Sequence, residues 1–251
     1  MLMTGGASAA PDHNPWYHGK YGRNRVVHLT LTATVGTVWL LSSVLKDQFS
    51  TGCRWCEPPG FDRSVRNALV WDNNGRAHML SNINAYAVGP ALGLGLLILS
   101  DHDASPSRLI DDLLPIIETT VFCQLFTSVA KLAVARKRPY VYFDTPGIPS
   151  SNNDNLSFWS GHSSFGFAIT TSAGLIAHWR GYWTEPYIWG LGITASLTTE
   201  YLRIAGDRHY LSDVLVGGLV GVGAGLLVPR LMRRDLKLVP VANGAAVVGR
   251  F

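Results

Sequence analysis

Six apolar segments of near membrane-spanning length constrain the fold of this chain more than any other feature. A bilayer core about 30 Å thick needs a helix of about 20 mostly apolar residues, because backbone polar groups in lipid must be hydrogen-bonded within the span. The predicted spans are residues 26–45, 83–100, 113–135, 163–179, 187–203 and 214–231. Several are short, so a soluble helical core is the alternative. With charged residues at only 15%, we predict an all-α, polytopic integral membrane protein with about six transmembrane helices.

The chain divides into three predicted regions. Residues 1–25 are predicted to be a loosely ordered cytoplasmic segment, 26–232 a six-helix membrane domain, and 233–251 a cytoplasmic tail. An even number of crossings leaves both termini on one side, and both flanks are basic, which favours the cytoplasm. A charge count over all loops shows no such bias. We expect the opposite face of a bacterial inner membrane, toward the periplasm or exterior, to carry loops 46–82, 136–162 and 204–212.

Charge and cysteine content limit the partners. The net charge of +4 comes from scattered Lys and Arg, and no long basic run indicates a nucleic-acid partner. Cys53 and Cys56 form a single CxxC with no second pair to complete a zinc site, so they are a local disulfide or two thiols. Cys123 lies in an apolar segment and is predicted to be a packing residue.

Ionisable residues and glycines inside the spans call for separate explanations. Glu118 lies well within the third span, where a charge is costly; we interpret it as structural, protonated or bonded to a neighbour. His28 in the first span is expected near the cytoplasmic interface, satisfied by local groups. The sixth span has a glycine-rich face suited to close helix packing: Gly217, Gly218, Gly221, Gly223 and Gly225.

Three polar stretches lie next to apolar spans and together carry the chemistry of a phosphate site. They are Lys131 with Arg138-Pro139, Ser160-Gly161-His162, and Arg203 with His209 and Asp213. All three fall on the predicted outer face, at the ends of helices three to six. Three cations, two histidines and a carboxylate suit phosphoryl transfer, in which negative charge must be neutralised while a nucleophile attacks in line.

The first two stretches supply cations and an anion cradle. Lys131 and Arg138 are seven residues apart, so they share a face about 10 Å apart if the helix continues, although Pro139 predicts that it ends. Snorkelling to the interface is the alternative for this pair. Ser160 and Gly161 precede a helix whose N-terminus can bind an anion, and His162 can protonate a leaving oxygen. The purely structural alternative is that Ser160 caps the helix and His162 lies at the membrane interface. A serine nucleophile is a further alternative, but the Gly-x-Ser-x-Gly motif that such a nucleophile uses is not present.

The third stretch is the most specific. His209 and Asp213 are four residues apart, so the carboxylate can hold one ring nitrogen while the other attacks phosphorus. Arg203 can clamp phosphate oxygens bidentately, which Lys cannot. Purely structural ion pairing is the competing interpretation. Asp207 and Arg208, which lie between, are expected to form a local ion pair.

These stretches resemble the signature of the type 2 phosphatidic acid phosphatase superfamily: Lys-x6-Arg-Pro, Pro-Ser-Gly-His and Ser-Arg-x5-His-x3-Asp. Every internal spacing is intact in Lys131…Arg138-Pro139, Ser160-Gly161-His162 and Arg203…His209…Asp213. Two positions depart from it. Trp159 stands where the family has Pro and could reshape the mouth of the site, and Leu202 stands where it has Ser, removing one possible hydrogen bond to phosphate.

The resemblance implies a metal-independent lipid phosphatase with no cofactor, acting through a phosphohistidine. It implies that His209 is the nucleophile, Asp213 its orienting group and His162 the general acid. It also implies a set of phosphate-binding residues: Lys131, Arg138, Ser160, Gly161 and Arg203. The expected partners are a lipid phosphate and the bilayer. A lipid phosphotransferase using the same residues, or a non-catalytic binder of lipid phosphates, are the alternatives; the membrane spans argue against a haloperoxidase.

Overall fold

The computed structural model describes residues 21–49, 52–232, 237–241 and 244–248. Two π-helical segments, Asn84–Val88 and Ala91–Gly95, join α3 to α4, so one helical run extends from Asn74 to Ser100. Antiparallel strands β1 (Lys237–Val241) and β2 (Gly244–Val248) follow the helices. The described α-helices are α1 (Tyr21–Phe49), α2 (Gly60–Leu69), α3 (Asn74–Ile83), α4 (Leu96–Ser100), α5 (Pro106–Val134), α6 (Pro139–Tyr142), α7 (Gly161–Arg180), α8 (Glu185–Ala205) and α9 (Leu211–Met232).

The predicted polytopic, helical membrane architecture is confirmed. Four helical segments of the described chain are long and apolar enough to cross a membrane: Arg25–Lys46, Asn74–Ser100, Pro106–Val134 and Leu211–Met232. The predicted fourth and fifth spans correspond to α7 and α8, which are 20 and 21 residues long but fall outside that set. The count of six crossings therefore stays a prediction.

Several predicted boundaries are wrong by a turn or more. The second span begins at Asn74 rather than residue 83, because its first turns carry polar residues that face the protein interior and lower the local hydropathy. The third begins at Pro106, where the Ser105 hydroxyl accepts a hydrogen bond from the Arg108 N–H (3.4 Å), and not beside Asp111 and Asp112. Within the predicted loop 46–82, α2 is an additional helix.

Helix α7 forms the centre of the bundle and packs against α5, α8 and α9. The glycine-rich face of α9 permits a close contact with the backbone of α7. A Cβ added at Gly221 would lie 2.5 Å from the Ser164 carbonyl oxygen, and one at Gly217 would lie 2.6 Å from the Ser160 carbonyl oxygen. Close helix packing through glycine is confirmed for Gly217, Gly218, Gly221 and Gly225, and it fixes the start of α7 beside the start of α9. The prediction is wrong for Gly223, which faces away from the other helices and has nothing within 4 Å of an added Cβ.

Helix α1 lies at the edge of the bundle and packs on α5. There His28 Nδ1 is 3.1 Å from Glu118 Oε2, and the Thr32 hydroxyl donates to the same oxygen at 3.3 Å. The expectation that His28 is satisfied locally is wrong, because its partner lies on another helix. The structural interpretation of Glu118 gains a specific basis in this contact between helices.

The two predicted terminal regions are covered only in part. Residues 1–20 lie outside the described part of the chain, so the cytoplasmic segment 1–25 stays a prediction. Of the predicted tail 233–251, the backbone of β1 and β2 is described, and it forms a hairpin in which Lys237 pairs with Val248. The cytoplasmic location of this tail stays a prediction.

Candidate active site

One cavity of about 300 Å³ lies at the junction of α5, α7 and α8. All three predicted polar stretches contribute to its wall, through Lys131, Arg138, Gly161, His162, Arg203 and His209. Among its described lining residues there is no Asp or Glu. The structure therefore gathers these residues from distant parts of the sequence into a strongly cationic cavity.

Lys131 and Arg138 meet through a turn rather than along one helix. The helix ends at Val134, before Pro139 as predicted, and Ala135 adopts a left-handed conformation (φ 46°), so Lys131 and Arg138 do not share a helical face. The chain then folds back, and both cations donate to one carbonyl. Lys131 Nζ is 2.7 Å and Arg138 Nη2 is 3.2 Å from the Leu156 carbonyl oxygen.

Arg138 is buried and held by backbone oxygens. Its Nε donates to the Asn153 carbonyl (2.8 Å) and its Nη1 to the Arg208 carbonyl (2.9 Å). Nη1 also lies 3.4 Å from Nε2 of His209. Burial lowers the pKa of Arg138, but a guanidinium stays protonated in proteins, so a fixed positive charge lies beside the histidine.

His209 is enclosed, with a side chain 1% exposed, and Asp213 lies behind it. The Nδ1 atom of His209 is 3.4 Å from Asp213 Oδ2 and makes no hydrogen bond within the described residues. Asp213 Oδ2 accepts from the Ser157 hydroxyl (2.5 Å) and from the Tyr210 N–H (3.0 Å). The predicted adjacency of carboxylate and ring nitrogen is present, although the Nδ1 contact is long.

The electrostatic setting keeps His209 neutral. Burial, followed by the neighbouring Arg138, Lys131 and Arg203 cations, holds the pKa of His209 well below its ordinary value of 6.5. Desolvation and nearby positive charge both disfavour the imidazolium. A neutral imidazole with one nitrogen facing the cavity is the form that can act as a nucleophile.

The Ser-Gly-His stretch begins α7. Ser160 is fully buried and caps the helix, since its hydroxyl accepts from the Ser163 N–H at 3.3 Å, and it lies behind the cavity wall. Gly161 reaches the wall, and its carbonyl accepts from Gln124 Nε2 at 3.1 Å. His162 Nε2 is 2.8 Å from Asn82 Oδ1, and its ring centroid is 4.8 Å from that of Tyr86.

Arg203 occupies the last turn of α8 and is 3% exposed. Its Nη1 is 2.9 Å from Nδ1 of His78 and 3.2 Å from the Ser81 hydroxyl. Its Nε has no hydrogen-bond partner within the described residues. An unpaired buried donor is costly, and an anion bound in the cavity can supply the missing acceptor.

One expectation about neighbouring residues is wrong, and another stays a prediction. Leu202 packs with Ala77 and Ala205 and is not among the residues that line the cavity, so the effect of replacing Ser here stays a prediction. Asp207 does not pair with Arg208; it accepts both bonds of a bidentate interaction from Arg66, at 2.8 and 2.7 Å. Trp159 donates from Nε1 to the hydroxyl of Thr127 (2.8 Å), a residue of the cavity wall.

Sequence reasoning missed the contribution of α3. Its residues His78, Ser81 and Asn82 contact Arg203 or His162. Their spacing of three and four residues is that of one helical face, and this polar periodicity ahead of an apolar span was the available signal. Arg136, which contacts Asp213, carried no comparable pattern.

A model of the PAP2 superfamily matches residues 112–237 and so includes all three polar stretches. This chain belongs to the PAP2 superfamily. Among curated PAP2 relatives, phospholipid phosphatase 2 of Mus musculus is 26% identical over 189 residues, which cover 63% of this chain and 68% of that protein. The Bos taurus protein of the same name is 29% identical over 141 residues, covering 47% of this chain and 49% of the relative.

A solved structure shares the fold of this PAP2 protein. It is a transmembrane PAP2-type phosphatidylglycerolphosphate phosphatase from Bacillus subtilis, with a TM-score of 0.50 and 17% sequence identity. The match covers 84% of this chain and 95% of that one. The resemblance found in the sequence is thus confirmed for the family and for the helical membrane fold.

Proposed function

We propose that this PAP2 protein hydrolyses a phosphomonoester or diphosphate of a lipid through a phosphohistidine intermediate. The observation that carries the proposal is the environment of His209: a buried neutral imidazole whose Nε2 lies 3.4 Å from Arg138, in a cavity lined by three further cations, Lys46, Lys131 and Arg203. A carboxylate at 3.4 Å from Nδ1 completes the arrangement. Nucleophile, orienting group and charge stabilisers are those that phosphoryl transfer to histidine requires.

In the proposed first step, the lone pair of His209 Nε2 attacks phosphorus. The bond between phosphorus and the lipid oxygen breaks, and that oxygen takes a proton from His162. Asp213 stabilises the positive charge that develops on the ring. A bound phosphate brings negative charge beside His162, which favours the protonated form that acts as the acid.

In the proposed second step, water attacks the phosphohistidine. The N–P bond breaks, His162 accepts a proton from the water, and inorganic phosphate leaves with His209 restored. Lys131, Arg138 and Arg203 neutralise the equatorial oxygens in both steps, with the start of α7 at Gly161 as an additional anion site. These cations supply the charge stabilisation that a metal ion gives in other phosphatases, so we propose that no metal is required.

The lipid nature of the substrate is supported by the surroundings of the cavity. Residues of α1 and α5 line the cavity, and both helices are long and apolar enough to cross a membrane, so a substrate tail can remain in lipid while its phosphate enters. The relatives are named as phospholipid phosphatases, and the structural neighbour as a phosphatidylglycerolphosphate phosphatase. A lipid phosphate substrate therefore agrees with the helices that line the cavity and with the names of the related proteins.

The proposal includes an orientation. Helix α1 runs from Arg25 toward the cavity, which Lys46 lines, and α9 runs away from the cavity to Met232. The N-terminal end of α1 and the C-terminal end of α9 therefore both lie on the side of the bundle opposite the cavity. Together with the basic flanks, this supports cytoplasmic termini and a cavity that opens to the periplasm or exterior.

The test is phosphate release from a panel of lipid phosphates and diphosphates by purified protein in detergent, with and without EDTA. We expect release that survives EDTA and is lost in His209→Ala, whereas His102→Ala, at an exposed turn, keeps wild-type activity. Release that depends on added metal, or that persists in His209→Ala, would contradict the mechanism. Phosphate transfer to an added alcohol without free phosphate would indicate the phosphotransferase instead.

A further inference from the structure

We propose that Arg136, bridging Asp62 and Asp213, is a positioning residue that fixes the charge and orientation of the carboxylate behind His209. This inference rests on the proposed function, since it concerns how the nucleophile is prepared. It extends the sequence-derived pair of His209 and Asp213 to a buried cluster of four side chains. Neither Arg136 nor Asp62 lines the cavity, so both act through Asp213.

Arg136 is the link between two buried carboxylates. It is 1% exposed, and its Nη1 lies 2.5 Å from Asp213 Oδ1 while its Nη2 lies 2.6 Å from Asp62 Oδ2. Both carboxylates are fully buried. A guanidinium is suited to this bridge because its planar fork presents two donors in a fixed geometry, which an ammonium group does not.

Asp62 anchors the far side of the cluster. Its Oδ1 accepts from the Ser212 N–H at 2.9 Å, and its Oδ2 accepts from the Ser212 hydroxyl at 2.7 Å. Ser212 is adjacent to Asp213, so Asp62 and Arg136 hold the first turn of α9 from two directions. Helix α2, which supplies Asp62, thereby connects the loop between the first two spans to the catalytic end of α9.

The bridge gives the two carboxylate oxygens of Asp213 different partners. Oδ1 faces Arg136, which leaves Oδ2 for the Ser157 hydroxyl, the Tyr210 N–H and the side of His209 Nδ1. If Arg136 were replaced by an uncharged residue, the buried carboxylates of Asp62 and Asp213 could not both stay ionised, so one of them would take up a proton. A protonated Asp213 no longer stabilises charge on the ring of His209. The cation therefore keeps the orienting group anionic.

Two aromatic rings enclose the guanidinium. The Arg136 Cζ atom lies 3.8 Å from the centroid of Trp55 and 4.4 Å from that of Tyr210. Trp55 belongs to the turn closed by the Cys53–Cys56 disulfide, which confirms one of the two alternatives for the CxxC. The turn is joined to the segment around Arg136 by hydrogen bonds from Arg54 N to Ala135 O (2.9 Å) and from Lys137 N to Trp55 O (3.1 Å).

A double-mutant cycle tests this inference directly. The variants are Arg136→Met, Arg136→Lys, Asp213→Asn and the double variant Arg136→Met with Asp213→Asn. We expect Arg136→Met to lower kcat about 10- to 100-fold with KM unchanged, and to cause no further loss on top of Asp213→Asn. Competitive inhibition by inorganic phosphate, which reports the cavity cations, is expected to stay within about twofold of wild type because those cations are untouched.

The pH profile adds a readout that a purely structural role would not move. Without the cation, the two buried carboxylates cannot both stay ionised at neutral pH, so kcat of Arg136→Met should increase with pH where that of the wild type is flat. Arg136→Lys keeps the charge and should restore the wild-type shape. The charged and titratable groups that face His209 and Asp213 are Lys131, Arg138, His162, Arg203, Arg136 and Asp62.

Arg66→Met is the matched control, since it removes another arginine, 13% exposed, that is paired with a buried aspartate of the same region, Asp207. It should lower thermal stability without coupling to Asp213→Asn and without a changed pH profile. The inference would be overturned if the kcat losses of Arg136→Met and Asp213→Asn multiplied in the double variant. It would also be overturned if Arg136→Met had the same pH profile as Arg66→Met. If Arg136→Met does not fold, Arg136→Gln, which also removes the charge but can still donate a hydrogen bond, replaces it in the cycle. Failure of the proposed function itself would show separately, as wild-type activity that is absent or independent of His209.

Discussion

Nη1 of Arg138 lies 3.4 Å from Nε2 of His209, on the side of the ring that faces the cavity. Arginine has only donors, so this contact requires a lone pair on Nε2 and leaves the ring proton on Nδ1, toward Asp213. The same cation that would bind a phosphate oxygen thus also selects the tautomer in which Nε2 carries the lone pair that attacks phosphorus. The guanidinium of Arg138 therefore both stabilises charge on the phosphate and prepares the nucleophile.

Replacement of Arg138 by Lys tests that dual role. An ammonium group keeps the charge but cannot bind the carbonyls of Asn153 and Arg208 while also facing His209. We expect kcat/KM to fall at least about tenfold, as steady-state phosphate release will show. Arg76→Lys, at an exposed site on α3, is the control and should match the wild type. Full activity in Arg138→Lys would show that charge alone is sufficient.

The pH dependence of kcat/KM reports the state of His209 in the free enzyme. Histidine attacks when neutral, which is above its pKa, and burial with neighbouring cations lowers that pKa below 6.5. We therefore expect the acid limb due to the enzyme to fall below pH 6.5. Comparing a lipid monophosphate with a diphosphate identifies that limb, because substrate ionisation differs between the two. A shared limb at or above pH 6.5 would refute the neutral, desolvated nucleophile.

Asn82 should matter to the extent that His162 acts as an acid. Its Oδ1 is 2.8 Å from His162 Nε2 and so fixes the ring. Asn82→Leu should lower kcat about tenfold for a lipid phosphate but much less for 4-nitrophenyl phosphate, whose leaving group needs no proton. Asn84→Leu is the matched control, because Asn84 makes its hydrogen bonds to α8 instead. Equal losses on both substrates would argue against the proposed acid.

The packing of α9 on α7 should be intolerant of a single methyl group. At Gly221 an added Cβ would lie 2.5 Å from a backbone oxygen of α7, which cannot move aside as a side chain could. We expect Gly221→Ala to destabilise the protein by about 1–3 kcal/mol, seen as a lower melting temperature in detergent. Gly223→Ala, with nothing within 4 Å of the added Cβ, should melt at or above the wild-type temperature. Equal melting of the two variants would contradict the close contact.

What the sequence could predict depended on whether the signal was local. The polar stretches around Lys131, His162 and His209 were recognisable because each carries its spacing within a few residues, and apolar length predicted the helices that bring them together. Asp62 and Arg136 were not recognisable, because their contacts join positions separated by 74 residues and follow from chain folding alone. The early start of the second span could not be predicted either. Its first turns contain polar residues that face a buried site, and their low hydropathy is also typical of a loop.

The most direct test of the central claim is to trap the phosphoenzyme. Protein mixed with a 32P-labelled lipid phosphate, quenched within milliseconds and digested, should carry an acid-labile, base-stable label on the peptide that contains His209. The label should be absent from His209→Ala and should persist longer in His162→Ala, in which the second step lacks its base. A label on another residue, or release of phosphate with no protein-bound label while product forms, would contradict the phosphohistidine mechanism.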